Sequence, residues 1–214
     1  MKQKRGKFIV LEGGEGVGKS TNLDFVRDCL ENAGLFVRVT REPGGTKLGE
    51  RLRDILLQDD EEETITPDAE LLLMFAARAQ HIAQVICPAL AAGQWVVCDR
   101  FTDASYAYQG GGRRIPAKKI ADLECWVQGD LRPDLVLLLD VPPAVGLRRA
   151  RRRSGTDRFE QEESAFFERV RATYKARAGE NPERYALIDA SLELPDVQAR
   201  IAVVIEDFLA RANN

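Results

Sequence analysis

Apolar and polar residues alternate along this chain in a repeating order. A short apolar run is followed by a longer segment in which apolar residues recur every three to four positions. The apolar runs cover 8–11, 35–40, 95–98, 135–140 and 185–189. Runs of this length are typical of buried strands, and the segments between them have the period of a helix. Strands that alternate with helices predict an α/β fold, with one five-stranded parallel sheet and helices on both faces.

The helical segments are bounded by residues that commonly end helices. Gly34 and Gly93 follow two of them, at the position where a left-handed residue closes a helix. Residues 103–112 are polar and contain three glycines, which favours a helix and loop that line a pocket. The acidic run 59–63 is interpreted as a solvated loop without chemistry. The predicted helices are 20–33, 46–58, 67–91, 116–129, 142–150, 160–178 and 194–212.

Composition limits the possible classes of protein. The 214 residues suffice for one α/β core, so a single domain over 1–214 is expected. The 31 basic and 34 acidic residues nearly cancel, and this balance gives no reason to expect binding to nucleic acid or to a membrane. The basic N-terminal residues are followed by a short strand, not by the apolar run of a signal peptide. A soluble, cytoplasmic protein is expected.

The four cysteines are Cys29, Cys87, Cys98 and Cys125. They are widely spaced and form no C-x-x-C pair, so we interpret them as buried or half-buried thiols in a reducing compartment. With no C-x-x-C pair and a single histidine, His81, the chain lacks the ligand spacing that is typical of a zinc site. For His81 we expect packing or contact with solvent, not catalysis.

Residues 13–20 read Gly-Gly-Glu-Gly-Val-Gly-Lys-Ser and match the phosphate-loop pattern G-x-x-x-x-G-K-[ST]. The glycines at positions 13, 16 and 18 allow positive φ, so that backbone N–H groups can approach a polyphosphate. Lys19 can follow the β- and γ-phosphates, and the Ser20 hydroxyl can ligate Mg²⁺. The alternative is a glycine-rich turn with an accidental lysine. The strand before it and the helix after it favour a nucleoside triphosphate as ligand.

Two further segments place charged residues where a predicted strand ends. Residues 41–46 contain a proline and two glycines, and they form either an ordinary turn or a ligand-binding loop. The charges of Arg41 and Glu42 favour the second interpretation. Asp99 and Arg100 follow the third strand, where a carboxylate can lie beside a metal and an arginine can meet a substrate phosphate.

Three large side chains interrupt the simple pattern. Arg78 falls on the apolar side of its predicted helix, and it is either paired with a carboxylate or directed at a ligand. Trp95 and Trp126 are expected in the core or at an interface and not in a ligand site.

Six arginines fall within residues 148–158 and would repel one another without a polyanion or nearby carboxylates. A flexible lid over about 148–160, which closes on the phosphates of ATP, is our interpretation of this segment. A nucleic-acid patch is the alternative. It has no interleaved aromatic residues and no overall basic charge to support it.

Taken together and in order, these motifs resemble those of bacterial thymidylate kinases, from about Lys7 to the last helix. The set comprises the phosphate loop, residues 41–45, Phe75-x-x-Arg78, Asp99-Arg100-Phe101, residues 108–112 and the arginine segment. The resemblance implies a phosphate-loop nucleoside monophosphate kinase-like fold and Mg²⁺-dependent transfer of the γ-phosphoryl group of ATP to dTMP. The products would be dTDP and ADP, on the route to dTTP. It also implies a homodimer.

The resemblance assigns roles by position. Contacts with ATP are implied for Gly13, Gly14, Glu15, Gly16, Val17, Gly18, Lys19, Ser20, Thr21, Arg151 and Arg158. Contacts with dTMP are implied for Glu42, Arg53, Met74, Phe75, Arg78, Arg100, Ser105 and Gln109. Catalytic roles are implied for Glu15, Lys19, Asp99, Arg100 and Arg153. The implied ligands of Mg²⁺ are Ser20 and Asp99.

Within these sets, Arg78 resembles the residue that hydrogen-bonds the thymine carbonyl, and Gln109 a second polar contact to the base. The position of the aromatic residue that stacks on thymine is occupied by Met74, with Phe75 next to it, and either could lie against the base. The lid arginine is also open among positions 151, 152 and 153, with Arg153 the best match.

Other functions remain possible on the sequence alone. A kinase of the same fold for another nucleoside monophosphate, or for a nucleoside, is the nearest one. A GTP-dependent switch or a regulatory ATPase is another, although the guanine-specific N-K-x-D and D-x-x-G motifs do not occur.

Overall fold

The computed structural model describes residues 5–58, 63–152, 158–159 and 162–213. The acidic run at 59–62 and the lid residues 153–157 and 160–161 lie outside this set, so the predictions for them are not addressed by the structure. Five strands form one parallel sheet, as predicted, and the structure gives their order as β2-β3-β1-β4-β5. The strands are β1 Phe8–Glu12, β2 Val37–Arg41, β3 Trp95–Asp99, β4 Leu135–Asp140 and β5 Tyr185–Asp189.

Helices connect the strands and flank the sheet. Two of them contain π-helical segments: the helix that begins at Pro67 is π-helical over Ile82–Ile86, and the helix that begins at Thr102 continues as a π-helix over Tyr106–Gly112. The helices are α1 Lys19–Asn32, α2 Lys47–Leu57, α3 Pro67–Ala91, α4 Thr102–Ser105, α5 Ala117–Gln128, α6 Pro143–Arg151, α7 Ser164–Glu180 and α8 Leu194–Asn213.

Both faces of the sheet are buried beneath helices, which confirms the predicted architecture. Ile9 and Leu11 of β1 belong to an apolar cluster that includes residues of α1 and α8. Phe8 and Val10, which point to the opposite face, pack with residues of α3. Because both faces are covered, the central strands are continuous apolar runs instead of alternating ones.

Residues 103–112, predicted as a polar helix and loop, form a continuous helix that widens into π geometry. A Cβ at Gly111 would lie 2.2 Å from Thr173 Oγ1, and one at Gly112 would lie 2.4 Å from the Phe166 ring. These glycines therefore let the π-helix lie directly against α7. The close packing holds Gln109, which is in the same π-helix, at a defined position.

Helix α3 is long and apolar enough to cross a membrane by length and composition alone. One such helix is weak evidence, because the core helix of a soluble protein passes the same test. Phe75 and Ile86 of α3 are buried in apolar clusters, and its buried Arg78 and His81 both meet Glu42 inside the protein. These buried residues account for part of its hydropathy, since 39% of its most apolar window is buried inside the protein.

The predictions for the cysteines are correct for two residues and wrong for two. Cys98 is buried and Cys29 is half-buried, but Cys87 and Cys125 are exposed, because they lie on helix faces that the described residues leave uncovered. The part of the chain that the structure describes contains no group of three His, Cys, Asp or Glu residues able to hold a metal. His81 is fully buried, so of the two expectations for it, packing is confirmed and contact with solvent is excluded.

The two tryptophans occupy different environments. Trp95 is buried, and its ring meets that of Phe208 edge to face at 5.7 Å between centroids. Trp126 on α5 is 82% exposed. Trp95 is thus a core residue, whereas Trp126 lies on the surface.

Candidate active site

The phosphate loop connects β1 to α1 at the carboxyl edge of the sheet. Gly13, Gly16 and Gly18 have φ angles of 140°, 65° and 88°, so the predicted positive φ is confirmed at all three. Gly18 is the N-cap of α1, and the first turn of that helix carries no acidic side chain. The positive end of α1 therefore has no acidic side chain in its own first turn to neutralise it.

The loop packs against helix α6 through two glycines. A Cβ at Gly16 would lie 1.9 Å from the carbonyl oxygen of Gly146, and a Cβ at Gly146 would lie 2.3 Å from the carbonyl oxygen of Glu15. The sequence analysis missed Gly146, although a glycine inside a helix can indicate close backbone approach. The phosphate loop therefore contacts the helix that leads into the arginine segment.

Lys19 is held close to the loop backbone. Its Nζ donates to the carbonyl oxygens of Gly14 at 2.8 Å and Gly13 at 3.2 Å. Burial, and secondly the positive charge of Arg100, lower the pKa of the Lys19 ammonium. Two neutral acceptors are a weak match for a cation in this environment, so phosphate oxygens would be better partners.

Arg100 and Glu15 form an ion pair beside the loop. Arg100 Nη2 lies 2.6 Å from Glu15 Oε1, and Arg100 Nη1 donates to the Gly13 carbonyl oxygen at 2.9 Å. The Tyr108 hydroxyl also donates to Glu15 Oε1, at 2.7 Å, and its ring lies under the Arg100 guanidinium. Burial opposes the charge of Arg100, but Glu15 and neighbouring groups outweigh it and raise the pKa of Arg100. Tyr108 is a site residue to which the sequence analysis gave no role.

Asp99 and Ser20 lie along the same groove as Lys19. Asp99 Oδ1 is buried and has no hydrogen-bond partner among the residues that the structure describes. Carboxylate and hydroxyl oxygens are suitable ligands for Mg²⁺, which commonly completes its shell with water and substrate phosphates. The Asp99 carboxylate, with its partnerless Oδ1, and the Ser20 hydroxyl therefore fit a Mg²⁺ ion that takes its other ligands from water and phosphate. The described residues contain no group that could surround a metal with protein ligands alone.

A cavity that is partly open to solvent lies next to this groove. The structure brings all the predicted contacts for dTMP except Phe75 to its wall, namely Glu42, Arg53, Met74, Arg78, Arg100, Ser105 and Gln109.

Met74 and Phe75, which the sequence left as alternatives, occupy different places. Met74 lines the cavity. Phe75 is buried in a cluster with Leu71 and Ile120, and its ring centroid lies 4.6 Å from the guanidinium carbon of Arg78. Phe75 therefore supports Arg78 from behind, and Met74 is the side chain of the two that is available to a ligand.

Arg78 is paired with a carboxylate and also has a free donor. Its Nε lies 2.7 Å from Glu42 Oε2, and its Nη2 donates to the carbonyl oxygen of Phe101 at 3.1 Å. His81 Nδ1 lies 2.9 Å from the other Glu42 oxygen. Arg78 Nη1 is buried without a partner in the described part of the chain. The pairing of Arg78 with a carboxylate is therefore confirmed, and the contact of Arg78 with a ligand stays a prediction that the partnerless Nη1 permits.

Gln109 is held from behind by Glu70. Gln109 Nε2 donates to Glu70 Oε1 at 2.8 Å, and Arg158 Nη2 lies 2.6 Å from Glu70 Oε2. Arg158 also donates through Nε to the Leu56 carbonyl oxygen at 3.1 Å. The structure therefore places Arg158 beside α2 and α3, and the contact with ATP that the sequence analysis implied for it stays a prediction. The reason for this placement is Glu70, a partner that lies 88 positions earlier.

The remaining predicted residues are distributed around the site. Arg53 is half-buried and donates to the Pro43 carbonyl oxygen at 3.1 Å, and burial and then Arg41 lower its pKa. Val17 is buried in the core, and Thr21 is exposed on α1. Arg151 is exposed at the end of α6. Arg153 lies outside the described residues.

A phosphate loop after the central strand of a five-stranded parallel sheet, next to a cavity lined by arginines, defines a class of protein. It is a phosphate-loop α/β protein of the nucleoside monophosphate kinase type.

Comparison with known proteins identifies the family within this class. The family model described as thymidylate kinase matches residues 11–201. The chain is 58% identical over 205 residues to thymidylate kinase of Methylococcus capsulatus, covering 96% of this chain and 97% of the relative. It is 57% identical over 206 residues to that of Pseudomonas entomophila, covering 96% and 98%. The chain therefore belongs to the thymidylate kinase family, as the sequence motifs predicted, and it is a kinase, a phosphotransferase.

A solved structure supports the same fold. The crystal structure of thymidylate kinase from Ehrlichia chaffeensis superimposes with a TM-score of 0.76 at 30% identity, covering 94% of this chain and 99% of that one.

Proposed function

We propose that this protein transfers the γ-phosphoryl group of ATP to dTMP in a Mg²⁺-dependent reaction. The products are dTDP and ADP, which places the reaction on the route to dTTP. One observation carries the proposal: Arg53 and Arg100 line both the cavity and the adjoining groove that Lys19 and Ser20 line. A monophosphate in the cavity and a triphosphate in the groove would therefore both place their reacting phosphates beside Arg53 and Arg100.

The residues at this junction suit phosphoryl transfer, which depends on positioning and on neutralising charge. Lys19 supplies a cation to the triphosphate, and Arg53 and Arg100 supply cations to the monophosphate. Glu15 holds the Arg100 guanidinium through the 2.6 Å contact and so directs it into the shared space. Arg151 and Arg153 of the arginine segment are proposed to reach ATP from the other side, with Arg153 as the catalytic lid arginine.

Mg²⁺ would be held by Ser20 and Asp99 together with phosphate oxygens. When bound, it would supply a positive charge that bridges and orients the phosphates of ATP. The partnerless Asp99 Oδ1 is the structural observation that supports this assignment.

In the cavity, Met74 is proposed to lie against the thymine ring, and Arg78 and Gln109 to read its polar edge. Glu42 is proposed to hold Arg78 in place and to lie near the sugar, with Ser105 on the same wall. We propose one cytoplasmic kinase domain that acts as a homodimer. Exposed apolar side chains on α3 and α5, such as Leu72 and Trp126, support a contact between copies.

The test is release of ADP from ATP and Mg²⁺ in the presence of dTMP, dUMP, UMP, CMP, AMP, GMP or thymidine, each in a separate reaction. We expect strong activity with dTMP, weaker activity with dUMP and little with the others. Excess chelator in a parallel reaction should abolish the activity. A protein that binds ATP but converts none of these acceptors would contradict the proposal and favour a switch or regulatory ATPase.

A further inference from the structure

Glu70 is a fully buried carboxylate that does not itself line the cavity. It lies on α3 behind Gln109 and has a donor on each oxygen. Gln109 Nε2 donates to Oε1 at 2.8 Å, while Arg113 Nε and Arg158 Nη2 lie 3.2 Å and 2.6 Å from Oε2. A buried carboxylate is costly unless it is paired, so the two arginines explain how Glu70 can remain there.

This contact determines which way the Gln109 amide points. A carboxylate oxygen only accepts hydrogen bonds, so the NH₂ end of Gln109, which donates, must face Glu70. The carbonyl oxygen Oε1 is then the end left for the cavity that Gln109 lines. Among the residues that the structure describes, none donates to Gln109 Oε1.

Two side chains of the cavity wall therefore carry an acceptor and a donor that have no partner among the described residues. The acceptor is Gln109 Oε1, and the donor is Arg78 Nη1, which is buried without a partner in the described chain. Thymine and uracil offer the complementary pair on neighbouring atoms, an N3–H donor and an O4 acceptor. Cytosine offers the reverse, an N3 acceptor and an N4 amino donor. The same Gln109 side chain turned by 180° would lose this preference.

We infer that Glu70 is a positioning residue that fixes the Gln109 amide and so makes the cavity select thymine or uracil over cytosine. The inference rests on the proposed function, because it takes the cavity to be the monophosphate site. Glu70 acts only through Gln109, and it sets the choice of base without contacting the base.

The experiment compares wild type with Glu70→Gln and with a matched control, Glu162→Gln. Glutamine at position 70 can offer either an oxygen or an NH₂ group, so it no longer dictates the Gln109 orientation. Glu162 meets Arg113 of the same cluster but not Gln109, so its replacement perturbs the cluster without touching the amide. For each protein, kcat and KM are measured with dTMP and with dCMP, and the Kd of each nucleotide is measured by calorimetry without ATP.

We expect Glu70→Gln to lower the preference for dTMP over dCMP by about tenfold or more, mainly through KM, because a hydrogen bond of the base loses its assured partner. Glu162→Gln should change that preference by less than about twofold. In the double variant Glu70→Gln, Gln109→Glu, the NH₂ group at position 70 meets a carboxylate at 109, which again presents an acceptor. This variant should recover a preference for dTMP.

An unchanged preference in a folded Glu70→Gln would overturn the inference. So would equal Kd values for dTMP and dCMP with wild type, a measurement that needs no variant to fold. Loss of the preference for dTMP in Glu162→Gln would also count against the inference. The preference would then depend on the whole ion-pair cluster and not on the contact between Glu70 and Gln109. Failure of wild type to phosphorylate dTMP would refute the proposed function, while the calorimetric ratio would still test Glu70.

Discussion

The phosphate loop and the adjoining cavity are built in different ways. The loop is eight consecutive residues, and its backbone N–H groups and Lys19 provide the binding chemistry. The cavity is assembled from side chains that are far apart in sequence: Arg78 meets Glu42 across 36 positions, and Gln109 meets Glu70 across 39. Local backbone conformation makes the first site, and buried polar pairs make the second.

This difference predicts different consequences of substitution. The polar pairs of the cavity are buried inside the fold. They therefore contribute to the stability of the fold and also position the side chains of the site. The Lys19 ammonium has only carbonyl oxygens of its own loop as hydrogen-bond partners in the described structure. Changes in the cavity should therefore alter stability and binding together, whereas the loss of Lys19 should alter chemistry alone.

The largest effect is expected for Arg78→Ala. Arg78 is 2% exposed, and its removal leaves the buried Glu42 carboxylate without its arginine. Breaking a buried pair in this way costs about 3–5 kcal/mol of unfolding free energy. Urea denaturation measures this loss, and KM for dTMP should rise in any variant that remains folded. Lys118→Ala is the control, because it breaks an exposed pair with Asp122 and should cost less than about 1 kcal/mol. If Arg78→Ala also cost less than about 1 kcal/mol, the cavity would not depend on buried polar pairs and the contrast with the phosphate loop would be wrong.

Lys19→Ala comes next. The loss of a cation placed on the transferred phosphate should lower kcat by about 10²-fold or more. The unfolding free energy should change by less than about 1 kcal/mol, because Lys19 makes no salt bridge in the described structure. Steady-state kinetics and denaturation on the same preparation measure both quantities. A large loss of unfolding free energy would contradict this expectation, because it would show that Lys19 stabilises the fold as Arg78 does.

The smallest effect is expected at Glu12, which joins the two regions. Its Oε1 accepts from the Phe101 amide at 2.8 Å, and its Oε2 accepts from the Tyr174 hydroxyl at 2.8 Å. Burial, and then the charge of Asp103, raise the pKa of Glu12 to about 7. Between its ordinary pKa and 7 the folded state binds the proton and the unfolded state does not. Stability should therefore decrease as the pH rises through this range.

Glu12→Gln removes this titration and keeps an oxygen acceptor for the Phe101 amide, while its NH₂ group takes the place of the oxygen that accepts from the Tyr174 hydroxyl. The stability of the variant relative to wild type should increase between pH 5 and pH 8, by on the order of 2 kcal/mol. Unfolding in urea at several pH values measures the difference. A difference that does not vary with pH would mean that Glu12 is ionised throughout the range.

The sequence was a good guide wherever structure depends on neighbouring residues. Buried parallel strands are continuous apolar runs, and the positive φ of the loop needs glycine, so both could be predicted without any contact being known. The exposure of Cys87 and Trp126 was less accessible to prediction, because it depends on which helix face another element covers. The π-helix at 106–112 was also missed, since its glycines are explained by the approach of α7.

The sequence by itself determined the phosphate loop, the order of the strands along the chain and the family. These features depend on residue types within short segments, where local backbone preference and hydrophobic period are sufficient. Only the tertiary structure decided that Met74 and not Phe75 lines the cavity. It also decided that Glu70 pairs with Arg158 and orients Gln109. Each of these outcomes is a choice among several partners, and only folding brings those partners within hydrogen-bonding distance.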